Sequence, residues 1–261
     1  MIPTTLPPMF LLGASGAGKS EAGGKLVDLF NGNGIPVEFH TSKHWLGLAV
    51  LDDARTGRRV GEVIETPNLT LLNPDKADPE TFQARFKNGA ALNRAHESLI
   101  AHVAQRHRES GGSVVVIAEL ANGPTIPYGH LEPIRQTGFQ FIQWIDQHGL
   151  LPRAHCWLIT APFSERLERN DGRPGKLPPD ELTRLYPDLD NDPTYDIALA
   201  TFGSRFHHIP NAMPSKELFL KLVENDFYDV LVPRFGLEGI RRPLDGRDRD
   251  YYPIVGGEHE S

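Results

Sequence analysis

Residues 9–30 read Met9-Phe10-Leu11-Leu12-Gly13-Ala14-Ser15-Gly16-Ala17-Gly18-Lys19-Ser20-Glu21-Ala22-Gly23-Gly24-Lys25-Leu26-Val27-Asp28-Leu29-Phe30. An apolar run of strand character opens this segment. A complete G-x-x-x-x-G-K-[ST] pattern, the Walker A form, occupies residues 13–20. A stretch of helical character closes it. Strand, Gly-rich loop and helix therefore come in the order a phosphate-binding loop requires. Gly13, Gly16 and Gly18 let the backbone curl so that successive N–H groups point at phosphate oxygens. Ala14, Ser15 and Ala17 complete the cradle, and the start of the helix adds positive potential. Lys19 is expected to reach the β and γ phosphates, and the Ser20 hydroxyl to ligate Mg²⁺. The segment predicts a nucleoside triphosphate site.

Working outward, the chain of 261 residues suits one sizeable domain with insertions. Its 39% hydrophobic and 23% charged residues are those of a globular protein. A net charge of −7 argues against broad, nonspecific nucleic-acid binding, though not against a local basic groove. The single cysteine, Cys156, cannot form an internal disulfide, so a reducing, cytoplasmic setting is expected. It lies in an apolar run and reads as a small buried hydrophobe. No apolar stretch approaches the ~20 residues of a membrane span, and the N-terminus lacks the basic start of a signal peptide.

Strand and helix signals alternate along the chain, which indicates an α/β doubly wound sheet. Strands are expected at 8–13, 36–40, 113–118, 154–160 and 206–209. Residues 41–77 read as irregular, with a turn at 55–59 between two short strands and an insertion at 43–77 near the active site. Asp78-Pro79 carries the signature of a helix start, predicting a long helix up to Gly111-Gly112, with a break at Gly89 left open. Further helices are expected at 130–148, after Asp192-Pro193, and at 215–231 with Leu218, Leu222 and Val223 on one side. Residues 161–192, rich in Arg, Pro and Asp, read as a mobile flap. One domain spans 1–240, and a polar tail, 241–261, reads as loosely held.

Two further constellations carry chemistry. Glu119 is expected immediately after a buried strand, at the carboxyl end where ligands of open α/β sheets gather. A carboxylate there can hold Mg²⁺ or take a proton from an acceptor hydroxyl. Arg166, Arg169 and Arg173 follow the next strand at helical spacing, and guanidinium groups suit phosphates and transferring phosphoryl charge. Weaker candidates are the polar group His40, Ser42, Lys43 and His44, the acidic pair Asp52-Asp53, and Arg55, Arg58 and Arg59. His207-His208 reads as structural. No His/Cys/Asp spacing suggests zinc.

This arrangement resembles the P-loop nucleoside and nucleotide kinases, with thymidylate kinase and the deoxynucleoside kinases as the nearest pattern. The resemblance is carried by residues 13–20, by 25–39 with Gly34-Ile35-Pro36-Val37, by 114–119, and by 157–173 with Ala161-Pro162-Phe163-Ser164-Glu165-Arg166-Leu167-Glu168-Arg169. Together these cover about half the chain. The resemblance implies a three-layer P-loop NTPase fold with a five-stranded parallel sheet and helices on both faces. It also implies ATP and Mg²⁺ as co-substrates and an Arg-bearing lid, and is compatible with a homodimer. The acceptor side departs from it. Thymidylate kinases typically carry Asp-Arg-Tyr or Asp-Arg-Phe after the third strand, where this chain has Glu119-Leu120-Ala121. They carry an acidic residue and Pro after the second strand, where this chain has His40-Thr41-Ser42. A nucleoside or nucleotide acceptor, a polynucleotide end, and a hydroxymethylated base within DNA all stay open. So does a nucleotide switch or NTPase without a small-molecule acceptor, although no Asn-Lys-x-Asp motif of a GTPase follows a late strand.

Overall fold

The computed structural model describes residues 5–121, 138–171, 194–237 and 239–242. Strand β1, Met9–Gly13, leads through the Gly-rich loop into helix α1, Lys19–Gly32. Strand β2 is Val37–Thr41, and helix α2, Ser42–Arg55, follows without a break. Four short strands come next: β3 at Arg58–Val60, β4 at Val63–Glu65, β5 at Leu69–Leu71 and β6 at Ala84–Phe86. Helix α3, Ala90–Glu109, then delivers the chain to β7, Val115–Ala121. Helix α4, Gly138–Gln147, precedes β8, His155–Thr160, and α5, Phe163–Asp171. Helix α6, Thr194–Phe202, precedes β9, Phe206–Pro210, and α7 is Lys216–Asp226. A wide π turn, Phe227–Leu231, and a short helical turn, Val232–Arg234, continue α7.

Five strands form one parallel sheet in the order β2-β7-β1-β8-β9. Side chains alternate across a strand, so parity assigns each residue to a face. Met9 and Leu11 join Val115, Ile117, Trp157 and Ile159 in a core under α1 and α7. Phe10 and Leu12 join Val116, Ala118, Cys156 and Leu158 in a second core under α3, α4 and α6. Both faces being covered, the central strands read as continuous apolar runs. Burial pushes the Cys156 thiol well above its ordinary range, as suits an inert core position. Among the described residues, no helix is long and apolar enough to cross a membrane.

The structure corrects several expectations. Residues 42–55, read as irregular, form α2; Val50 and Ala54 bury one side of it against Leu69, Leu71 and Phe86. Gly47 obscured this helix, because glycine weakens helical character. It is needed because a Cβ there would lie 2.1 Å from the Pro79 carbonyl oxygen. Residues 55–59, expected as a turn between strands, instead carry the end of α2 into β3, and β3 and β4 join at Gly61-Glu62. Asp78 starts no long helix. Its carboxylate accepts from the backbone N–H groups of Glu80 and Thr81 at 2.7 and 2.8 Å, capping a single turn. The chain then pairs β6 to β5 before α3 begins at Ala90. In α7 the buried residues are Phe219 and Val223, with Leu218 exposed. The Ser215 hydroxyl accepts from the Leu218 N–H and so sets that phase. Residues 130–137, 172–193 and most of the expected tail lie outside the described residues.

Candidate functional site

Strand parity aims Glu119 at the Gly-rich loop. Glu119 sits inside β7, not after it, because pairing with β1 continues through Leu12–Leu120 and Gly13–Ala121. It shares the α1 face with Val115 and Ile117, and it is flanked in register by Leu11 and Thr41. A buried carboxylate in that row needs polar partners. It has them: the Ser20 hydroxyl donates to its Oε2 at 2.7 Å, and the Lys19 ammonium lies 3.9 Å from its Oε1. Lys19 also donates to the Ala14 carbonyl at 2.8 Å. Lys19 is only 3% exposed and Glu119 9%. Residues predicted from two distant parts of the chain, Lys19-Ser20 and Glu119, thus meet at one point.

The loop's backbone has the curl expected of it. Gly16 has φ +82°, and its missing Cβ would lie 3.1 Å from the Arg166 carbonyl oxygen. Gly18 has φ +99°, with the Asn211 side-chain nitrogen 2.3 Å from where a Cβ would sit. In the left-handed region a side chain is strained in any case. Here it would also push away two neighbours of the loop.

Helix α5 packs its first turns on this loop. Arg166 is 4% exposed, and its guanidinium lies 5.0 Å from the centre of the Phe163 ring. Arg169 pairs with Glu165 at 2.5 Å and donates to the backbone carbonyls of Gly16 at 3.4 Å and Asn211 at 3.2 Å. Arg166 and Arg169 are therefore beside the loop, while Arg173 lies outside the described residues. Sequence reasoning missed Asn211, which is 4% exposed and whose Nδ2 donates to the Ala17 carbonyl at 2.8 Å. Its position directly after β9, at a strand's carboxyl end, was the available signal.

The weaker candidates lie elsewhere. His40 shares its β2 face with Glu38, towards α3: Arg106 clasps Glu38 at 3.0 and 2.5 Å, and the His40 ring meets His102 at 4.7 Å. The Arg106 bonds hold the Glu38 carboxyl below its ordinary range. Burial first, and then the neighbouring His102, pull His40 down. Lys43 and His44 both reach Glu80, at 3.9 and 2.8 Å. Asp53 is a structural anchor, taking bonds from Thr66 at 2.6 Å, Asn68 at 2.8 Å and Arg94 at 2.9 Å. Burial works to raise its carboxyl, but these bonds prevail and hold it low. Asp52 faces Arg55 at 3.5 Å, and Arg59 grips Asp75 through two bonds of 2.9 and 2.6 Å. His207 lies 3.0 Å from the Asp226 carboxylate, and His208 meets the Thr160 hydroxyl at 2.9 Å.

Ser20 and Glu119 offer hard oxygen donors at one point, a set that fits Mg²⁺, which retains waters and phosphate oxygens rather than seeking an all-protein cage. Among the described residues, no group of three or more His, Cys, Asp or Glu gathers as a metal cage.

No family model matches the sequence, and no curated protein does. Among solved structures, an unliganded sugar kinase from Janibacter sp. HTCC2649 is similar, at a TM-score of 0.45 and 11% identity over 88% of this chain and 98% of that one. Shikimate kinase from Acinetobacter baumannii, in complex with shikimate, is similar at a TM-score of 0.39 and 13% identity over 85% and 96% of the two chains. The α/β fold rests on the strand order and on the two covered faces of the sheet.

Proposed function

We propose that this chain is an ATP-dependent phosphotransferase that moves the γ-phosphate to a hydroxyl or phosphate of a nucleoside- or nucleotide-type acceptor. The observation that carries this reading is the meeting of Lys19, Ser20 and Glu119 at the mouth of the Gly-rich loop. A loop of backbone N–H groups, an ammonium and a hydroxyl–carboxylate pair are what binding and transfer of a terminal phosphate need. Residues 13–20 hold the phosphates. Lys19 leaves the Ala14 carbonyl for the β and γ phosphates. Ser20 and Glu119 would hold Mg²⁺, which supplies charge neutralisation at the phosphate oxygens when bound. Glu119 also stands ready to take a proton from the acceptor hydroxyl. Arg166 and Arg169 lie where a guanidinium can meet charge developing on the transferred group, with Arg173 as a further candidate from the same segment.

The acceptor belongs at the carboxyl ends of β2 and β7, next to the folded excursion of α2 and β3–β6. That excursion favours a second form of the same activity, in which the hydroxyl belongs to a polynucleotide end or a hydroxymethylated base in DNA. The test is a screen with γ-labelled ATP and Mg²⁺ against nucleosides, nucleotides, and oligonucleotides with varied hydroxyls. Label on one class names the acceptor. Label released only as free phosphate rejects the phosphotransferase reading in favour of an NTPase.

A further inference from the structure

Asn211 is held from three sides. Its backbone N–H donates to the Thr160 carbonyl at 2.6 Å, which ties it to the end of β8. Its backbone carbonyl and its Oδ1 accept from Arg169 at 3.2 and 3.4 Å. Its Nδ2 donates to the Ala17 carbonyl at 2.8 Å, and only a glycine at position 18 leaves room for that approach. The amide's orientation is fixed by its surroundings, since the opposite one would set Oδ1 against the Ala17 oxygen and Nδ2 against a guanidinium.

The bond bears on the peptide between Ala17 and Gly18. In a planar trans peptide the C=O and N–H point in opposite directions. With the Ala17 carbonyl turned to Asn211, the Gly18 N–H points the other way. Rotating the peptide by half a turn would reverse both and present a carbonyl oxygen to an anion. Glycine at position 18 tolerates either arrangement, so the residue that lets the loop curl also leaves this peptide free to flip.

We propose that Asn211 is a positioning residue: through the Ala17 carbonyl it locks the Gly18 N–H towards the nucleotide's phosphates and so sets affinity for the phosphate chain without touching it. This rests on the nucleotide-site reading of residues 13–20. Asn211→Asp keeps the shape but loses the donor, and Asn211→Ala removes both. ADP with Mg²⁺ is titrated calorimetrically into the wild type and both variants, and adenosine binding is followed by NMR line broadening. ADP affinity is expected to fall by about tenfold or more in both variants, while adenosine affinity stays within about twofold. Equal weakening of both ligands would assign Asn211 a merely structural role and overturn the proposal. Unchanged ADP affinity would overturn it while leaving the nucleotide site standing. A wild type that binds no ADP overturns the site reading, and this proposal with it. If neither variant folds, the native protein decides through the Asn211 side-chain amide protons. Exchange slowed relative to a free asparagine, and slowed further by ADP, supports the lock; exchange at the free rate refutes it.

Discussion

Glu119→Gln separates the electrostatic and the catalytic roles of one carboxylate. Gln keeps the size and an acceptor for the Ser20 hydroxyl, now 2.7 Å from Oε2, but it removes the charge 3.9 Å from the Lys19 ammonium. At an effective dielectric near 20, unit charges at that distance attract by about 4 kcal/mol. Lys19 keeps its Ala14 bond, so the net loss should sit below that ceiling, at about 2–3 kcal/mol. For a chain of this size that lowers Tm by about 4–12 °C. Nucleotide phosphates would supply Lys19 with new counter-charge, so saturating ADP should narrow the Tm gap between variant and wild type. Turnover should fall by about a hundredfold, or ~2.7 kcal/mol of barrier, with ATP KM changed by less than about threefold. Thermal unfolding with and without ADP, and initial rates of label transfer from ATP, test the two halves separately. Wild-type turnover would remove Glu119 from the chemistry and move the search for a base to the acceptor side. An unchanged Tm without ligand would refute the coupling of Lys19 to Glu119.

Lys19→Ala should abolish transfer in a protein that still folds; rates within about tenfold of wild type, only ~1.4 kcal/mol, would disprove the phosphate-loop assignment. Neighbouring glycines of α1 should respond oppositely in urea titrations. Ala at Gly23 would set its Cβ 2.3–2.9 Å from the Phe39 ring and cost about 1–3 kcal/mol, whereas Gly24 has open space and Ala there should add up to about 1 kcal/mol. His155, held down to about 4 by burial first and by Arg234 and Arg205 second, gives the fold a pH dependence. The unfolded chain binds this proton near pH 6.5 and the folded one does not, so stability is full above pH 6.5 and declines towards pH 4 by up to ~1.4 kcal/mol per unit. His155→Gln should flatten that decline in urea titrations at pH 7.5 and 5; equal slopes in both proteins would show that His155 is not its source.

The parts of the fold that local pattern dictates were legible. Residues 9–30 announce strand, loop and helix in order, and the continuous apolar run at 114–118 announces a strand covered on both faces. What escaped depends on distant partners. Gly47 weakens the helical pattern of 42–55 for the sake of Pro79, thirty-two positions on. Asp78 offers the same bonds to one turn as to a long helix, and only the pairing of β6 with β5 decides between them. Lys19, Ser20 and Glu119 could be named as a set because motif and strand-end position point to each. Asn211 had only its strand-end position to mark it, because its bonds reach Ala17 and Arg169, distant in the chain. His40 lies inside β2 and falls on the other face by parity.

The central place of β1 has a consequence for how the protein is made. Its neighbours are β7 and β8, both encoded more than a hundred residues later. At ~5–20 residues per second, the segment Met9–Gly13 waits on the order of ten to thirty seconds on the ribosome before both partners exist. Until β7 is made, an apolar strand, Met9-Phe10-Leu11-Leu12, has neither edge paired, and until β8 follows one edge stays open. Such a strand is a target for holding chaperones and a seed for aggregation. The Gly-rich loop, translated early, thus takes its working shape only after the chain beyond Thr160 has emerged. Truncated chains that end before β8 would carry the whole phosphate-loop motif and still lack the sheet that shapes it.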